Sequence, residues 1–232
     1  MDRQQPQRLL IPRPEVQGVR FARAVEAAMP GRWDCVLAPV MEIRLRPIAP
    51  VATGQFLFTS ANGVRAWVAA QDTRGRAFCV GPQTTAAARE AGFQATQLGA
   101  TVAELGDVLS TRPKNCFLHV RGAHVRGALA QRLRQAGHEV EEVVAYDQAP
   151  IPLPTPILED LGEGRIHVVT LFSPRSARLL MEQVASGLHH TTTLVCLSPA
   201  VAQASGAAPD RIVTATEPTR AAMLAALTSV PR

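Results

Sequence analysis

Short apolar runs followed by amphipathic stretches recur along this chain of 232 residues. In the clearest case, the run from Phe56 to Phe58 precedes Val64, Trp67 and Val68, which recur at helical spacing. Such strand-then-helix units predict parallel sheets with helices on their faces. We predict strands at 9–12, 33–40, 56–58, 77–80, 116–120, 139–145, 166–172, 193–197 and 211–214, and helices at 15–29, 61–70, 83–91, 125–136, 174–185, from 199, and at 218–227.

The stretch from Phe56 to Arg65 returns later in the chain, with Ser60 matched by Ser173 and Arg65 by Arg178. A repeat this long is typical of a domain duplication. The proline-rich residues 149–156 predict an extended interdomain linker, and the alternating residues 41–49 predict a connecting strand exposed on one face. Only three strand-then-helix units follow the linker, so the first unit of the chain is expected to complete that domain.

Composition narrows the classes of function. The net charge of +5 comes almost wholly from arginine, since Lys114 is the only lysine, and it favours anionic ligands. No dense basic run with interleaved aromatic residues is present, which argues against nucleic acid as a partner. Residues 1–8 lack the apolar core of a secretion signal and no segment has the length of a membrane helix, so we expect a cytoplasmic protein without a membrane partner.

The cysteines and histidines give no metal or disulfide pattern. Cys35, Cys79, Cys116 and Cys196 are isolated along the chain, and we expect buried structural thiols. None of the usual hydrolase, metalloprotease, P-loop or dinucleotide-binding motifs is present.

The corners between strands and helices carry the candidate chemistry. A serine or threonine at such a corner, followed by free helix amides, forms a cradle for anions. Ser60, Thr84 and Ser173 fit this pattern, and the nearby arginines are Arg13, Arg121 and Arg175. The competing interpretation is that these residues are only helix caps, worth about 1 kcal/mol each. Tyr146, the sole tyrosine, ends an apolar strand, and its hydroxyl is expected either to face the space between the domains or to pack at an interface.

Taken together, several segments resemble the uroporphyrinogen-III synthase family. They are Arg13-Pro14-Glu15, the stretch from Phe58 to Arg65, Val80-Gly81 with Thr84, Val120-Arg121-Gly122 with Arg126, Val144-Ala145-Tyr146, Phe172-Ser173-Pro174 and Ser198-Pro199. The resemblance implies two flavodoxin-like or Rossmann-like α/β lobes with parallel sheets, joined by a two-stranded linker. It places the first lobe at 1–37 plus 155–232, the second at 51–137 and the linkers at 38–50 and 138–154.

The resemblance also implies a reaction without a cofactor. Linear hydroxymethylbilane loses water and closes to uroporphyrinogen III with inversion of its last ring, in tetrapyrrole and heme biosynthesis. The expected protein is a monomer with a cleft that holds the substrate's carboxylates, and it receives hydroxymethylbilane either freely or by channelling from hydroxymethylbilane synthase. Tyr146 matches the family's catalytic tyrosine. The residues expected to bind substrate are Arg13, Thr59, Ser60, Asn62, Gly81, Gln83, Thr84, Arg121, Gly122, Ser173, Arg175, Ser176, Ser198, Ala200 and Val201.

One corner departs from the family pattern. The second glycine-proline corner, commonly Gly-Pro-Thr-Thr in the family, reads Ser198-Pro199-Ala200-Val201 here and lacks both threonine hydroxyls. This departure motivates an alternative function, a catalytically weakened relative that binds a tetrapyrrole or another polyanion as a sensor. A two-lobed binding protein for small ligands is a second alternative.

Overall fold

The computed structural model describes residues 5–51, 54–124, 128–184 and 187–231. Its strands are β1 Gln7–Ile11, β2 Trp33–Leu37, β3 Met41–Leu45, β4 Gln55–Phe58, β5 Arg76–Cys79, β6 Gln94–Gln97, β7 Cys116–Gly122, β8 Glu139–Pro150, β9 Val168–Leu171, β10 Thr193–Cys196 and β11 Ile212–Thr214. Its helices are α1 Glu15–Ala28, α2 Ala61–Ala70, α3 Gly81–Glu90, α4 Val102–Ser110, α5 Leu129–Gln135, α6 Thr155–Gly162, α7 Pro174–Gln183, α8 Pro199–Ser205 and α9 Arg220–Ser229. A short 3₁₀ helix covers Pro209–Arg211.

The chain divides into two compact units. Unit 1 combines Met1–Glu42 with Ala149–Arg232, and unit 2 is the continuous segment Ile43–Gln148. The alternating strand and helix order gives each unit a sheet of its own, as the sequence pattern predicts.

Unit 1 contains a five-stranded sheet in the order β11-β10-β9-β1-β2, with each neighbouring pair parallel. All four residues of β9 are buried, as expected for a strand covered by helices on both faces. Leu10 and Leu171 pack on one face with α7, while Leu9 and Phe21 pack on the other with α9. Arg8 at the start of β1 forms an ion pair with Asp160 of α6, which joins the two chain segments of this unit.

The second sheet has six strands in the order β3-β8-β7-β4-β5-β6, and β4 to β8 form parallel pairs. Phe56 and Phe58 of β4 share one face with Trp67 of α2, and Leu57 packs on the other face with Leu105 of α4 and Leu133 of α5. The central strands are thus apolar on both faces, which explains their unbroken apolar sequence.

Several predicted boundaries differ from the observed ones. The segments predicted as linkers, 38–50 and 138–154, contain β3 and β8 of the six-stranded sheet, and the predicted domain bounds stay predictions. The predicted strand at 139–145 extends to Pro150, and the proline-rich segment leads directly into α6. Residues 125–127 of the helix predicted at 125–136, and Ala185 at the end of the one predicted at 174–185, lie outside the described residues.

The thiols only partly follow the prediction. Cys79 and Cys196 are buried, and burial raises the pKa of each to about 11. Cys35 is half-buried. Cys116 contradicts the expectation of a buried thiol: it starts β7, is exposed, and its Sγ lies 3.2 Å from Glu139 Oε2.

Candidate functional site

Parallel strands end together, and we call the edge where they end the carboxyl edge of a sheet. In unit 2, Ser60 follows β4 at this edge and caps α2: its side-chain oxygen accepts a hydrogen bond from the Asn62 amide at 3.2 Å. Arg65, one turn further along, donates from Nη1 to Asn62 Oδ1 at 3.2 Å. The first turn of α2 carries no acidic residue, so its positive end faces the edge without a negative side chain of its own.

Tyr146 reaches this corner from two strands away. It pairs in register with Gly122 of β7, and a Cβ built on Gly122 would lie 2.8 Å from the Tyr146 Cε2 and Cζ atoms and 3.1 Å from its hydroxyl oxygen. The aromatic ring therefore rests against the bare Cα of the intervening strand. Only a glycine leaves room for this, and the ring spans from β8 across β7 toward the end of β4.

The hydroxyl of Tyr146 is held by several groups. Burial raises the pKa of the phenol, while a hydrogen bond from the Ser60 side chain, the positive charge of Arg65 and a hydrogen bond from the Gly122 backbone act in the opposite direction. Burial prevails, so the phenol keeps its proton at neutral pH. The result is a buried proton donor with Ser60 and the Gly122 backbone as its hydrogen-bond partners.

A second corner of unit 2 lies between β5 and α3. Gly81 has a φ of +71°, and its amide donates to Gly99 O at 2.9 Å, so the corner needs a residue without a side chain. Val80 supplies no side-chain cap to α3. Both Gln83 and Thr84 are predicted ligand contacts. The Gln83 side chain is exposed to solvent, whereas Thr84 is buried.

Arg121 is engaged within unit 2. Its Nε lies 2.7 Å from Glu142 Oε1, and its Nη1 donates to Gly122 O at 3.1 Å. Glu142 also forms an ion pair with Arg134 at 3.4 Å and lies 3.8 Å from the ring of buried His119. The sequence predicts Arg121 as a counter-charge for ligand, but much of its charge is offset by Glu142.

The carboxyl edge of unit 1 repeats the capped corner. Ser173 follows β9 and caps α7 by accepting a hydrogen bond from the Ser176 amide at 3.1 Å. The buried Ser176 hydroxyl donates to Ser173 O at 2.9 Å and lies 2.8 Å from Ser173 Oγ. Both hydroxyls thus help to build the corner, and half-buried Arg175 lies in the same helical turn.

Arg13 lies beside this corner, just after β1. Its guanidinium carbon is 3.9 Å from the centre of the Phe172 ring, which in turn makes an edge contact with Phe21 at 4.8 Å. Burial lowers the pKa of Arg13 to about 10, which leaves it charged at neutral pH. Within the described ranges, no carboxylate lies within 4.0 Å of this guanidinium. It is a positioned cation whose counter-charge a ligand can supply.

The corner before α8 differs from the other two. Ser198 makes no side-chain cap, and Val201 donates its amide to Ser198 O at 3.0 Å while its side chain lies in the core. Ala200 is exposed. Of the three ligand contacts predicted here, Val201 has both its side chain and its amide engaged within the protein.

The predicted site residues therefore fall into two groups. Thr59, Ser60, Asn62, Gly81, Gln83, Thr84, Arg121, Gly122 and Tyr146 lie at the carboxyl edge of unit 2, and Arg13, Ser173, Arg175, Ser176, Ser198, Ala200 and Val201 at that of unit 1. Arg65 is not among the site residues predicted from the sequence, although the internal repeat, which matches it with Arg178, singles it out.

The described part of the chain contains neither a cluster of metal ligands nor a helix suited to span a membrane. No group of three or more His, Cys, Asp or Glu side chains there has a geometry that would hold a metal ion. None of the helices in the same ranges has both the length and the apolar character needed to cross a membrane.

Comparison with protein-family models decides the family. The model described as uroporphyrinogen-III synthase HemD matches residues 31–225, which is most of the chain. The chain belongs to the uroporphyrinogen-III synthase family. Members of this family are cyclising lyases of tetrapyrrole biosynthesis, and this chain is an enzyme that closes hydroxymethylbilane to uroporphyrinogen III.

Solved structures show that the fold is that of uroporphyrinogen-III synthases. The uroporphyrinogen-III synthetase of Helicobacter pylori is similar with a TM-score of 0.68 at 13% sequence identity, covering 97% of this chain and 100% of that one. A mutant uroporphyrinogen III synthase of Thermus thermophilus is similar with a TM-score of 0.58 at 17% identity and the same coverage. The search of curated proteins gave no match.

Proposed function

We propose that Tyr146 is the catalytic acid of the uroporphyrinogen-III synthase reaction in this enzyme. The observation that carries the proposal is the placement of the only tyrosine at the carboxyl edge of unit 2, with its hydroxyl bonded to Ser60 and to the Gly122 backbone. A buried phenol that retains its proton is suited to donate it to a leaving hydroxyl group.

The chemistry requires one such proton transfer. The bond between the terminal methylene carbon of hydroxymethylbilane and its hydroxyl oxygen breaks, both electrons stay on oxygen, and the added proton releases water. The resulting azafulvene is attacked by the substituted carbon of the last ring, which forms a spiro intermediate. That intermediate reopens and recloses with the ring inverted, and loss of a proton from the pyrrole completes uroporphyrinogen III.

We further propose that the two carboxyl edges bind the acetate and propionate groups of the substrate. Support comes from the capped N-termini of α2 and α7 and from the Arg13 guanidinium, which has a ring contact and no nearby carboxylate in the described residues. Helix amides and a positioned arginine are the groups that proteins use for carboxylates. Among the other predicted contacts, Gln83 and Ala200 are exposed at these edges.

A second function, tetrapyrrole binding without turnover, is favoured by one observation. At the corner before α8 the Val201 amide is used by Ser198 O, and no threonine hydroxyl stands beside it. A corner with fewer donors lowers the affinity for substrate and the rate of turnover. A protein that only senses a polyanion tolerates that loss.

Product analysis separates these two functions. Freshly generated hydroxymethylbilane is supplied, the products are oxidised, and type I and type III uroporphyrin are quantified against the background of spontaneous closure to type I. We expect type III product from the wild-type enzyme, and a turnover number lower by tenfold or more for Tyr146→Phe with little change in KM. Only type I product from folded protein would favour the sensor. Type III product with an unchanged turnover number in Tyr146→Phe would instead remove the role of Tyr146.

The proposal extends to the cellular setting. We propose a monomer in the cytoplasm that takes its unstable substrate from hydroxymethylbilane synthase. Light scattering of the purified chain measures its mass, and the type III fraction obtained with and without coupled hydroxymethylbilane synthase measures channelling.

A further inference from the structure

Arg65 lies at the end of a chain of hydrogen bonds that begins at Tyr146. The Tyr146 hydroxyl bonds to Ser60, the Ser60 oxygen accepts from the Asn62 amide at 3.2 Å, and the Asn62 side chain accepts from Arg65 Nη1 at 3.2 Å. The positive charge of Arg65 lowers the pKa of the Tyr146 phenol, against the larger effect of burial. The guanidinium is thus oriented by Asn62 and lies close enough to influence the proposed proton donor.

The charge of Arg65 has no internal counter-charge in the described ranges, where no carboxylate lies within 4.0 Å of it. Arg121, at the same edge, differs because Glu142 lies 2.7 Å from it. Arg65 is also exposed, so an anion can approach it from solvent. An oriented and accessible arginine without an acidic partner is a typical binding residue for a carboxylate.

We propose that Arg65 binds a carboxylate of the terminal pyrrole ring of the substrate and thereby places that ring's hydroxymethyl group against the Tyr146 hydroxyl. This inference rests on the proposed function of Tyr146. In the terminal ring of hydroxymethylbilane, the carbon that bears the hydroxymethyl group adjoins a carbon with an acidic side chain. A cation and a proton donor grouped at the same corner after β4 match that arrangement. Arg65 then holds the ring that carries the hydroxymethyl group in place beside the acid.

The test compares Arg65→Gln, Arg65→Lys and a matched control, Arg76→Gln. Arg76 is an exposed arginine of the same unit, but it begins β5 and so lies at the opposite edge of the sheet. For Arg65→Gln we expect KM for hydroxymethylbilane to rise about tenfold or more, because a charge-assisted hydrogen bond is lost. The type III fraction should fall with it. Arg65→Lys should recover part of the affinity, and Arg76→Gln should match the wild type.

Two measurements do not depend on turnover. Because Tyr146 is the only tyrosine, the near-ultraviolet absorbance of tyrosinate reports the titration of this one phenol. Arg65→Gln should move its midpoint upward, Arg65→Lys should restore it, and circular dichroism at each pH verifies the fold. Binding of uroporphyrin III, followed by tryptophan fluorescence, should weaken about tenfold in Arg65→Gln.

These results test the role of Arg65 separately from the synthase reaction itself. An unshifted phenol titration, or wild-type KM and uroporphyrin affinity in Arg65→Gln, would overturn the role of Arg65 even if type III product forms normally. If the wild-type protein yields only type I product, the proposed function fails, while the titration and the binding measurement still decide whether Arg65 influences the Tyr146 phenol and binds a tetrapyrrole carboxylate.

Discussion

Replacing Gly122 by alanine tests the contact on which the position of Tyr146 depends. The new Cβ would lie 2.8 Å from two ring carbons, whereas ordinary van der Waals contact begins at 3.4 Å. The ring must therefore move by about 0.6 Å or more. Because Gly122 does not adopt a positive φ, alanine fits the backbone and the change isolates the side-chain contact.

The magnitude follows from overpacking and misplacement. Forcing a methyl group against a buried ring costs about 1–3 kcal/mol of unfolding free energy. A displaced hydroxyl also loses its hydrogen bonds to Ser60 and to the Gly122 backbone, and misplacement of a catalytic group lowers the rate by about ten- to a hundredfold. We therefore expect Gly122→Ala to reduce the turnover number by that factor and to shift the titration of the single tyrosine.

Gly54→Ala is the matched control. A Cβ at Gly54, just before β4, would lie 3.0 Å from the Cys116 carbonyl oxygen, a comparable clash at the amino end of the same sheet. Urea unfolding followed by tryptophan fluorescence measures stability, and the rate of type III formation measures catalysis. Gly54→Ala should lose stability but keep its turnover number and tyrosine titration. If Gly122→Ala retains the wild-type turnover number and tyrosine titration, the Tyr146 ring does not rest on residue 122 and the reasoning is refuted.

Three further predictions concern other contacts. Phe172→Leu removes the ring that supports Arg13, so urea unfolding should show a loss of about 1–2 kcal/mol and KM should rise. Burial lowers the pKa of His119 from 6.5 to about 4, so between these two pH values the imidazole is protonated in the unfolded chain but not in the folded protein. The free energy of unfolding should therefore fall as the pH drops from 6.5 to 4, and it should fall less steeply in His119→Phe. A hydrogen bond from Arg165 lowers the pKa of Asp160 in the folded protein. The ionised carboxylate therefore stabilises the fold fully above its ordinary pKa of 3.8, and this stabilisation is lost as the pH falls through the lowered pKa. Asp160→Asn should be less stable than the wild type at about pH 7, and the difference in stability should vanish in strong acid.

Much of the architecture could be predicted because the central strands are apolar on both faces. The runs around Phe58 and Leu171 are recognisable without any knowledge of their neighbours. The edge strand β6 was missed because it reads Gln94-Ala95-Thr96-Gln97, and three of its four residues are exposed. A strand at the border of a sheet needs no apolar face on its outer side, so its sequence carries little signal.

The candidate site was predictable residue by residue but not in its contacts. Ser60 and Tyr146 stand out in the sequence, yet their meeting depends on the order β8-β7-β4, which places Gly122 between them. The pairing of Arg121 with Glu142 likewise depends on β7 and β8 being neighbours in a particular register.

The strand order of unit 1 also determines when each part of the chain can fold. β1 lies between β2 and β9, so one of its two partners is made more than a hundred residues later than β1 itself. Unit 2 is a continuous segment and contains all of its own core when Gln148 has left the ribosome. During synthesis we therefore expect unit 2 to fold first, while the amino-terminal segment with β1 must avoid aggregation until the later strands of unit 1 have been made. Mutations in β1 are expected to reduce the yield of folded protein in cells more than equally destabilising mutations in β4.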